Sequence, residues 1–256
     1  MTNFPAARSL AAHVRPLIIE PGHSANHCAT CGARGESVCA SIDDRNLDRL
    51  ASAAIVTDVA PGKTFISEGE PADSFFNITA GTAKLYKLLP DGRRQITGFA
   101  HAGSFLGLAV SSIYAFSAEA IDNVRYCRFP RRKLQSLLDD FPALEKRLLE
   151  TASNELVAAQ DQMLLLGRKT ARERLASFLI AQKRHALPCR HSENRIALPM
   201  SRADIADYLG LTIETVSRTF TRLKNEQLIA VPNATCVDVL DREALLSLAE
   251  GYESGD

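Results

Sequence analysis

The spacing of apolar residues changes at Pro142, and this change is the strongest constraint on what the chain can fold into. Before it, residues 55–130 run as short β-branched and aromatic stretches broken by Pro61-Gly62-Lys63, Gly69-Glu70, Ala80-Gly81-Thr82, Pro90-Asp91-Gly92 and Ala102-Gly103-Ser104. Turns at such regular intervals predict many short strands closed into a β-roll or barrel. Asp91-Gly92, where both residues tolerate positive φ, predicts a hairpin joining residues 83–88 to 95–99. After Pro142 the apolar steps become three and four, through Leu149, Ala152, Leu156, Ala159, Met163 and Leu166. This heptad seam predicts a helix that pairs with a second copy of the chain. The alternative is a helix lying on its own β domain, because short seams also occur in core helices.

Further along, Ser201 with Asp204 three residues later resembles a capping box and predicts a helix through Ile205, Ala206 and Leu209. Gly210 stops it, Leu211 is apolar, and Thr212 can cap a second helix over residues 213–225. In that second helix Val216, Phe220 and Leu223 form an inward stripe, while Glu214, Ser217 and Arg218 lie on the outer side. Two helices sharing one tight turn predict a helix-turn-helix, with base edges met from the N-terminal turns of the second helix. Glu accepts from the cytosine amino group, Arg donates twice to guanine, and Ser serves either. Arg222 and Lys224 are placed for phosphate, and Thr212 at the helix start is counted with Glu214, Ser217, Arg218 and Arg222 among the DNA-binding residues. The bland alternative for Glu214 and Arg218 is an exposed i,i+4 ion pair worth ~0.3–0.5 kcal/mol. Two short strands, 228–231 and 236–240, follow across the turn Pro232-Asn233-Ala234, and a last helix completes a winged-helix outline.

A chain of 256 residues suits two domains rather than one. No apolar run reaches the ~20 residues of a bilayer-spanning helix, so no membrane partner is expected. Residues 1–25 carry Arg8, His13, Arg15 and Glu20 with no apolar block before a cleavage site, which predicts a cytoplasmic protein. Thirty basic and thirty acidic residues cancel, yet residues 168–232 hold 12 Lys+Arg against 6 Asp+Glu, and the rest holds 18 against 24. The basic C-terminal part therefore predicts a polyanionic partner, double-stranded DNA given the helix-turn-helix inside it. An enzyme is not expected, since the chain has no Walker-type loop, no HExxH and no nucleophile elbow.

Six cysteines stand at 28, 31, 39, 127, 189 and 236. In a cytosolic chain their clustering calls for metal or redox chemistry rather than a structural disulfide. Cys28, Cys31 and Cys39 place three thiols within twelve residues of a Gly- and Ala-rich loop, and Cys127 on a predicted strand is the candidate fourth ligand. A cubane iron–sulfur cluster takes four thiolates, and Zn²⁺ accepts the same four tetrahedrally. Ligand count does not separate the two. Cys127 alone would read as a small buried hydrophobe. His23 and His27 flank the triplet as alternative ligands, and Cys189 and Cys236 have no assigned role.

The cysteine set, the run Gln95-Ile96-Thr97-Gly98-Phe99 and Glu214-Thr215-Val216-Ser217-Arg218 together resemble the FNR proteins, the oxygen-responsive branch of the CRP/FNR transcription regulators. The likeness spans nearly the whole chain. It implies an α+β protein: an N-terminal tail with a cysteine loop (1–40), a cupin-like, cyclic-nucleotide-binding-domain-like β-roll (41–141), a dimerisation helix (142–168) and a winged helix-turn-helix domain (169–256). By the same resemblance, Cys28, Cys31, Cys39 and Cys127 hold an oxygen-labile [4Fe-4S] cluster. The homodimer reads a TTGAT-type half-site in a palindromic operator through Glu214, Ser217 and Arg218, and acts as an activator with RNA polymerase as a partner. Residues 91–94 on the roll are the analogous contact. The seven residues between Cys31 and Cys39 exceed the five of the enterobacterial members and are closer to the alphaproteobacterial FnrL and FnrN type. Where the cyclic-nucleotide branch carries a charged clamp, this chain reads Gly103-Ser104-Phe105-Leu106-Gly107-Leu108 and Phe116-Ser117-Ala118, so no cyclic nucleotide is expected. The remaining alternatives are a regulator with a structural zinc site, or one answering a redox or nitric oxide signal.

Overall fold

The structure, a computed structural model, describes residues 25–108, 112–185 and 194–252. The cysteine triplet is more ordered than a loop: Cys28 lies in a short helix, α1 (Ala25–Ala29), and Cys39 in a 3-10 turn, Val38–Ser41, capped by the Ser37 side chain. A second 3-10 turn (Asp44–Asn46) leads into α2 (Leu47–Ala53), which buries Leu47, Leu50, Ala51 and Ala53. Glycine places this segment against the roll that follows. Gly103 has φ +96°, and a Cβ there would come within 2.9 Å of the Glu36 Cβ, so only glycine lets the cysteine segment lie so close.

The roll consists of eight strands, β1 (Ile55–Val59), β2 (Thr64–Ile66), β3 (Ser74–Ala80), β4 (Ala83–Leu88), β5 (Arg94–Ala100), β6 (Phe105–Leu106), β7 (Ser117–Ala120) and β8 (Val124–Pro130). They form two four-stranded sheets in the orders β1-β8-β3-β6 and β2-β7-β4-β5, with every pairing antiparallel. The hairpin predicted around Asp91-Gly92 is the β4–β5 pair, and Gly92 takes φ +85°. Ile66, Phe76, Ile78, Tyr114 and Tyr126 fill the inside of the roll.

Helix α3 (Arg131–Asp140) leads to the 27-residue α4 (Pro142–Arg168), which opens on the proline that disfavours a longer α3 and is itself tolerated at a first turn. At ~1.5 Å per residue α4 is ~40 Å long. It is followed by α5 (Ala171–His185), β9 (Arg195–Ala197), α6 (Arg202–Leu209), α7 (Ile213–Asn225), β10 (Ile229–Asn233), β11 (Cys236–Val239) and α8 (Arg242–Glu250). The two predicted wing strands are β10 and β11, and β9 adds a third in the order β10-β11-β9. A separate core made by α5 to α8 buries Leu175, Phe178, Leu179, Ile205, Leu209, Val216, Phe220 and Leu223. The described residues include no helix long and apolar enough to cross a membrane.

Candidate DNA interface and cysteine recess

Helix α6 begins as its sequence requires. The Ser201 hydroxyl accepts from the Asp204 amide at 3.1 Å, and the Asp204 carboxylate accepts from the Ser201 amide at 3.1 Å. Gly210 ends it at φ +61°, where a Cβ would press on Leu166 at 3.3 Å. Thr212 then caps α7, its hydroxyl accepting from the Thr215 amide at 3.2 Å. Val216, Phe220 and Leu223 are buried as the pattern predicts, with Thr219 beside them. Glu214, Ser217, Arg218 and Arg222 are exposed together on the outer face. The Glu214 carboxyl is held below the usual range by its own backbone amide, the Thr212 hydroxyl and Arg218, so this acceptor is charged at neutral pH. Arg222 pairs with Glu226 at 2.9 Å, and Glu226 also meets Arg172. Arg202, at the start of α6, stacks over the Phe220 ring and ties the two helices together, a contact that sequence spacing did not reveal.

Helix α4 is buried only at its ends. Leu144 and Leu148 pack into the roll's outer core and Leu165 into the C-terminal core. Between them every residue from 152 to 161 is exposed, on all sides of the helix. Leu149 is 69% exposed, Leu156 61% and Met163 68%, with Ala152 and Ala159 open beside them. This helix therefore does not lie on its own β domain. Leu166 departs from the predicted seam: it is half-buried against the C-terminal core, while Val157 and Leu164 widen the bare apolar face instead.

Cys28, Cys31, Cys39 and Cys127 line one recess, together with Leu50, Ala54 and Phe129. Cys127 reaches it from β8, where its neighbours across the sheet are Val56 and Asn77. Burial raises the Cys28 thiol above its ordinary value, the Cys39 thiol to about 11 and the Cys127 thiol to about 12, and the other cysteines push each further. Four thiolates in this apolar place need a cationic centre to balance them. Among the described residues, no three Cys, His, Asp or Glu side chains converge as one ion requires. The four thiols line one recess, and their number and type suit either a four-thiolate iron–sulfur cluster or zinc. His27 also lines the recess, whereas His23 and Cys189 lie outside the described residues and Cys236 sits on the wing.

Two connections join these sites. The core that buries Cys28, Cys39 and Cys127 also takes in Leu144 and Leu148, and the 3-10 turn that carries Cys39 packs against α4. On the other side, α6 docks on the roll. Lys84 Nζ meets Glu119 at 2.9 Å and Asp204 at 3.1 Å, while Arg94 meets Asp204 at 2.9 Å and Asp207 at 2.8 Å. Gln95 donates to the Asp207 carbonyl at 2.7 Å, and Phe99, Phe178 and Tyr208 close the junction as mutually packed rings.

A β-roll, a long helix with a bare apolar stripe and a winged helix-turn-helix define a DNA-binding transcription regulator. Comparison with known proteins bears this out: a Crp-like helix-turn-helix domain matches residues 173–248, and a cyclic nucleotide-binding domain matches residues 56–141. The nitrogen fixation regulation protein FixK of Bradyrhizobium diazoefficiens is 42% identical over 91% of this chain and 97% of its own. The transcriptional activator protein FnrL of Cereibacter sphaeroides is 37% identical over 90% of this chain and 93% of its own. The solved structure of FixK2 from Bradyrhizobium japonicum superposes with a TM-score of 0.72 at 36% identity, covering 76% of this chain and 96% of that one. The chain belongs to the CRP/FNR family of transcription regulators, a non-enzymatic family, on its FNR-type branch.

Proposed function

We propose that this regulator is a cytoplasmic homodimer that answers oxygen through a [4Fe-4S] cluster on Cys28, Cys31, Cys39 and Cys127. The observation that carries the proposal is the meeting of all four thiols in one recess that shares its core with Leu144 and Leu148 of α4. When bound, the cluster supplies an oxygen-labile centre whose loss changes what the surrounding residues pack against. The chain's own residues do the rest. Cys28 and Cys39 order the N-terminal segment over the roll, and that segment supports the start of α4. The bare face through Leu149, Ala152, Leu156, Ala159 and Met163 joins a second copy, which sets two α7 helices ~34–36 Å apart for successive major grooves. Glu214, Ser217 and Arg218 then read base edges of a TTGAT-type half-site, Thr212 holds the helix start, and Arg222 serves phosphate.

The names of the relatives support activation: FnrL is a transcriptional activator protein. Of the expected contact at residues 91–94, Asp91, Gly92 and Arg93 are exposed at the hairpin tip and offer RNA polymerase a surface on the roll, whereas Arg94 turns to Asp204 and Asp207 of α6. Aromatic side chains packed inside the roll, Phe65, Phe76, Tyr114 and Tyr126, support a roll that has given up a cyclic nucleotide for a filled interior.

The test is an anaerobic purification that measures iron and acid-labile sulfide per chain, the visible spectrum, dimer mass and operator binding, repeated after exposure to air. Four iron and four sulfide per chain, with a broad visible band that bleaches as dimer and operator binding disappear, is the expected result. One zinc per chain, no colour and binding indifferent to air would overturn the oxygen reading and leave a zinc-stabilised DNA-binding protein.

A further inference from the structure

Two polar side chains line the recess, each with one buried atom that the fold leaves unpaired. Asn77, on β3 and only 1% exposed, points its amide nitrogen at Cys39 Sγ at 3.9 Å, and its Oδ1 has no hydrogen-bond partner. Arg34 comes from the cysteine segment. Its Nη1 meets Asp44 at 2.6 Å and its Nη2 donates to the Ile42 carbonyl at 2.7 Å, but its buried Nε–H has no acceptor. Both line the recess with the four cysteines. An unpaired buried donor costs ~1–3 kcal/mol, so the Arg34 Nε–H points to an acceptor that enters the recess, and the Asn77 amide nitrogen already faces one of the four sulfurs. Four thiolates around a [4Fe-4S]²⁺ core carry a net charge of −2, concentrated on sulfur, and this calls for a cation and N–H donors.

Resting on the cluster reading above, we infer that Arg34 and Asn77 are positioning residues that donate N–H bonds to the sulfurs of the bound cluster. Arg34 adds the positive charge that balances it. Hydrogen bonds and charge around the sulfurs set an iron–sulfur centre's reduction potential. Withdrawing electron density from sulfur favours the reduced state. Removing either donor therefore lowers the potential and makes the cluster easier to oxidise. Neither residue is a ligand, so iron content stays the same while the electronic properties move.

The experiment uses the full chain, purified anaerobically as wild type, Asn77→Leu, Arg34→Gln, Arg34→Lys and Asp44→Asn, each assayed for iron and sulfide. Each is then titrated against mediators while the reduced cluster is followed by electron paramagnetic resonance. Asn77→Leu and Arg34→Gln should each move the one-electron equilibrium about tenfold towards the oxidised form, a shift of ~59 mV. Arg34→Lys keeps the charge and should recover part of the shift. Asp44→Asn loosens the other end of Arg34 without touching the recess and should change little; an equal shift there would mean that Arg34 only braces the segment and would overturn its role. A measurement on the wild type alone covers variants that fail to fold. Selective ¹⁵N labelling of arginine, and separately of asparagine side chains, should give a hyperfine coupling to the reduced cluster in each case, and its absence overturns that donor. A wild type that holds iron and sulfide, with unchanged potentials in the variants, overturns this inference alone. A wild type that binds no cluster overturns the cluster reading and the inference with it.

Discussion

The junction between α6 and the roll and the cysteine recess are both buried polar assemblies, and they are finished to different degrees. At the junction Lys84 has two carboxylates, Arg94 has two, and Asp204 closes its own helix cap as well as the ion pairs. At the recess, Asn77 Oδ1 and Arg34 Nε have no partner, and the thiols of Cys39 and Cys127 are raised by their surroundings. A finished assembly is a joint, stable without any other molecule. An unfinished one is a site, costly until something enters it. The bare face of α4 belongs with the recess, since it exposes Leu149, Leu156 and Met163 to water in a single chain.

The sharpest way to break this contrast is Asp204→Ala. It leaves Lys84 buried against Glu119 alone, removes one of the two carboxylates of Arg94 and opens the α6 cap. Removing one member of a buried ion pair costs ~3–5 kcal/mol, and the denaturant midpoint of the C-terminal transition should fall accordingly. The pH dependence has a definite sign. Burial works against the Asp204 carboxylate, but Ser201 and Lys84 outweigh it and hold its pKa below the ordinary value. The unfolded chain therefore binds more protons than the folded one on the acid side, and the stability this group contributes is present above pH ~4 and lost as the pH falls further. Asp204→Ala should flatten that acid limb. If the variant unfolds at the wild-type midpoint, the junction is not the finished joint its geometry implies.

A smaller effect is expected where the molecule is unfinished. Ala159 lies on the open face of α4, and leucine there adds about three methylenes to whatever covers that face. At ~0.8 kcal/mol per buried CH₂ this amounts to ~2 kcal/mol per chain. Sedimentation of Ala159→Leu should show a dimer that persists at lower concentration, and operator binding that survives exposure to air. A wild-type association constant would mean that the partner does not cover Ala159. Tighter dimers with binding still fully sensitive to air would separate dimerisation from the oxygen response.

Legibility in the sequence follows the same division, because local spacing records what neighbours in the chain do for one another. The Ser201–Asp204 cap, the αL glycine at 210, Thr212 and the bounds of α7 all depend on residues within four positions, and each stands where its spacing predicts. The four cysteines were legible by residue type, although their segment is helical and 3-10 rather than a plain loop. The junction was not legible, since Lys84 and Asp204 are 120 residues apart and Asp204 already had a local explanation as a cap. Nothing near Asn77 in sequence marks it, because its relation to Cys127 arises from strand register and to Cys39 from packing. Leu166 shows the converse. Its heptad position predicts the seam, but the end of α4 turns it towards Gly210 and the C-terminal core. Strand β9 is three residues long and carries too little alternation to stand out from its surroundings.

The smallest effect tests whether a joint can be finished by a single side chain. Thr212 is exposed and makes no core contact, yet its hydroxyl receives the Thr215 amide and lies 3.1 Å from the Thr215 hydroxyl at the start of the helix that carries Glu214, Ser217 and Arg218. Thr212→Ala removes a cap worth ~1 kcal/mol, and Thr212→Ser keeps the oxygen and loses only a methyl group. Calorimetric melting should separate the two by that amount, with serine close to wild type. Operator affinity should fall with alanine and hold with serine, because the first turn of α7 presents the base-reading side chains and frays first when its amides lose their acceptor. Equal behaviour of the two variants would mean that the methyl group, or the packing of α7 alone, sets the helix start.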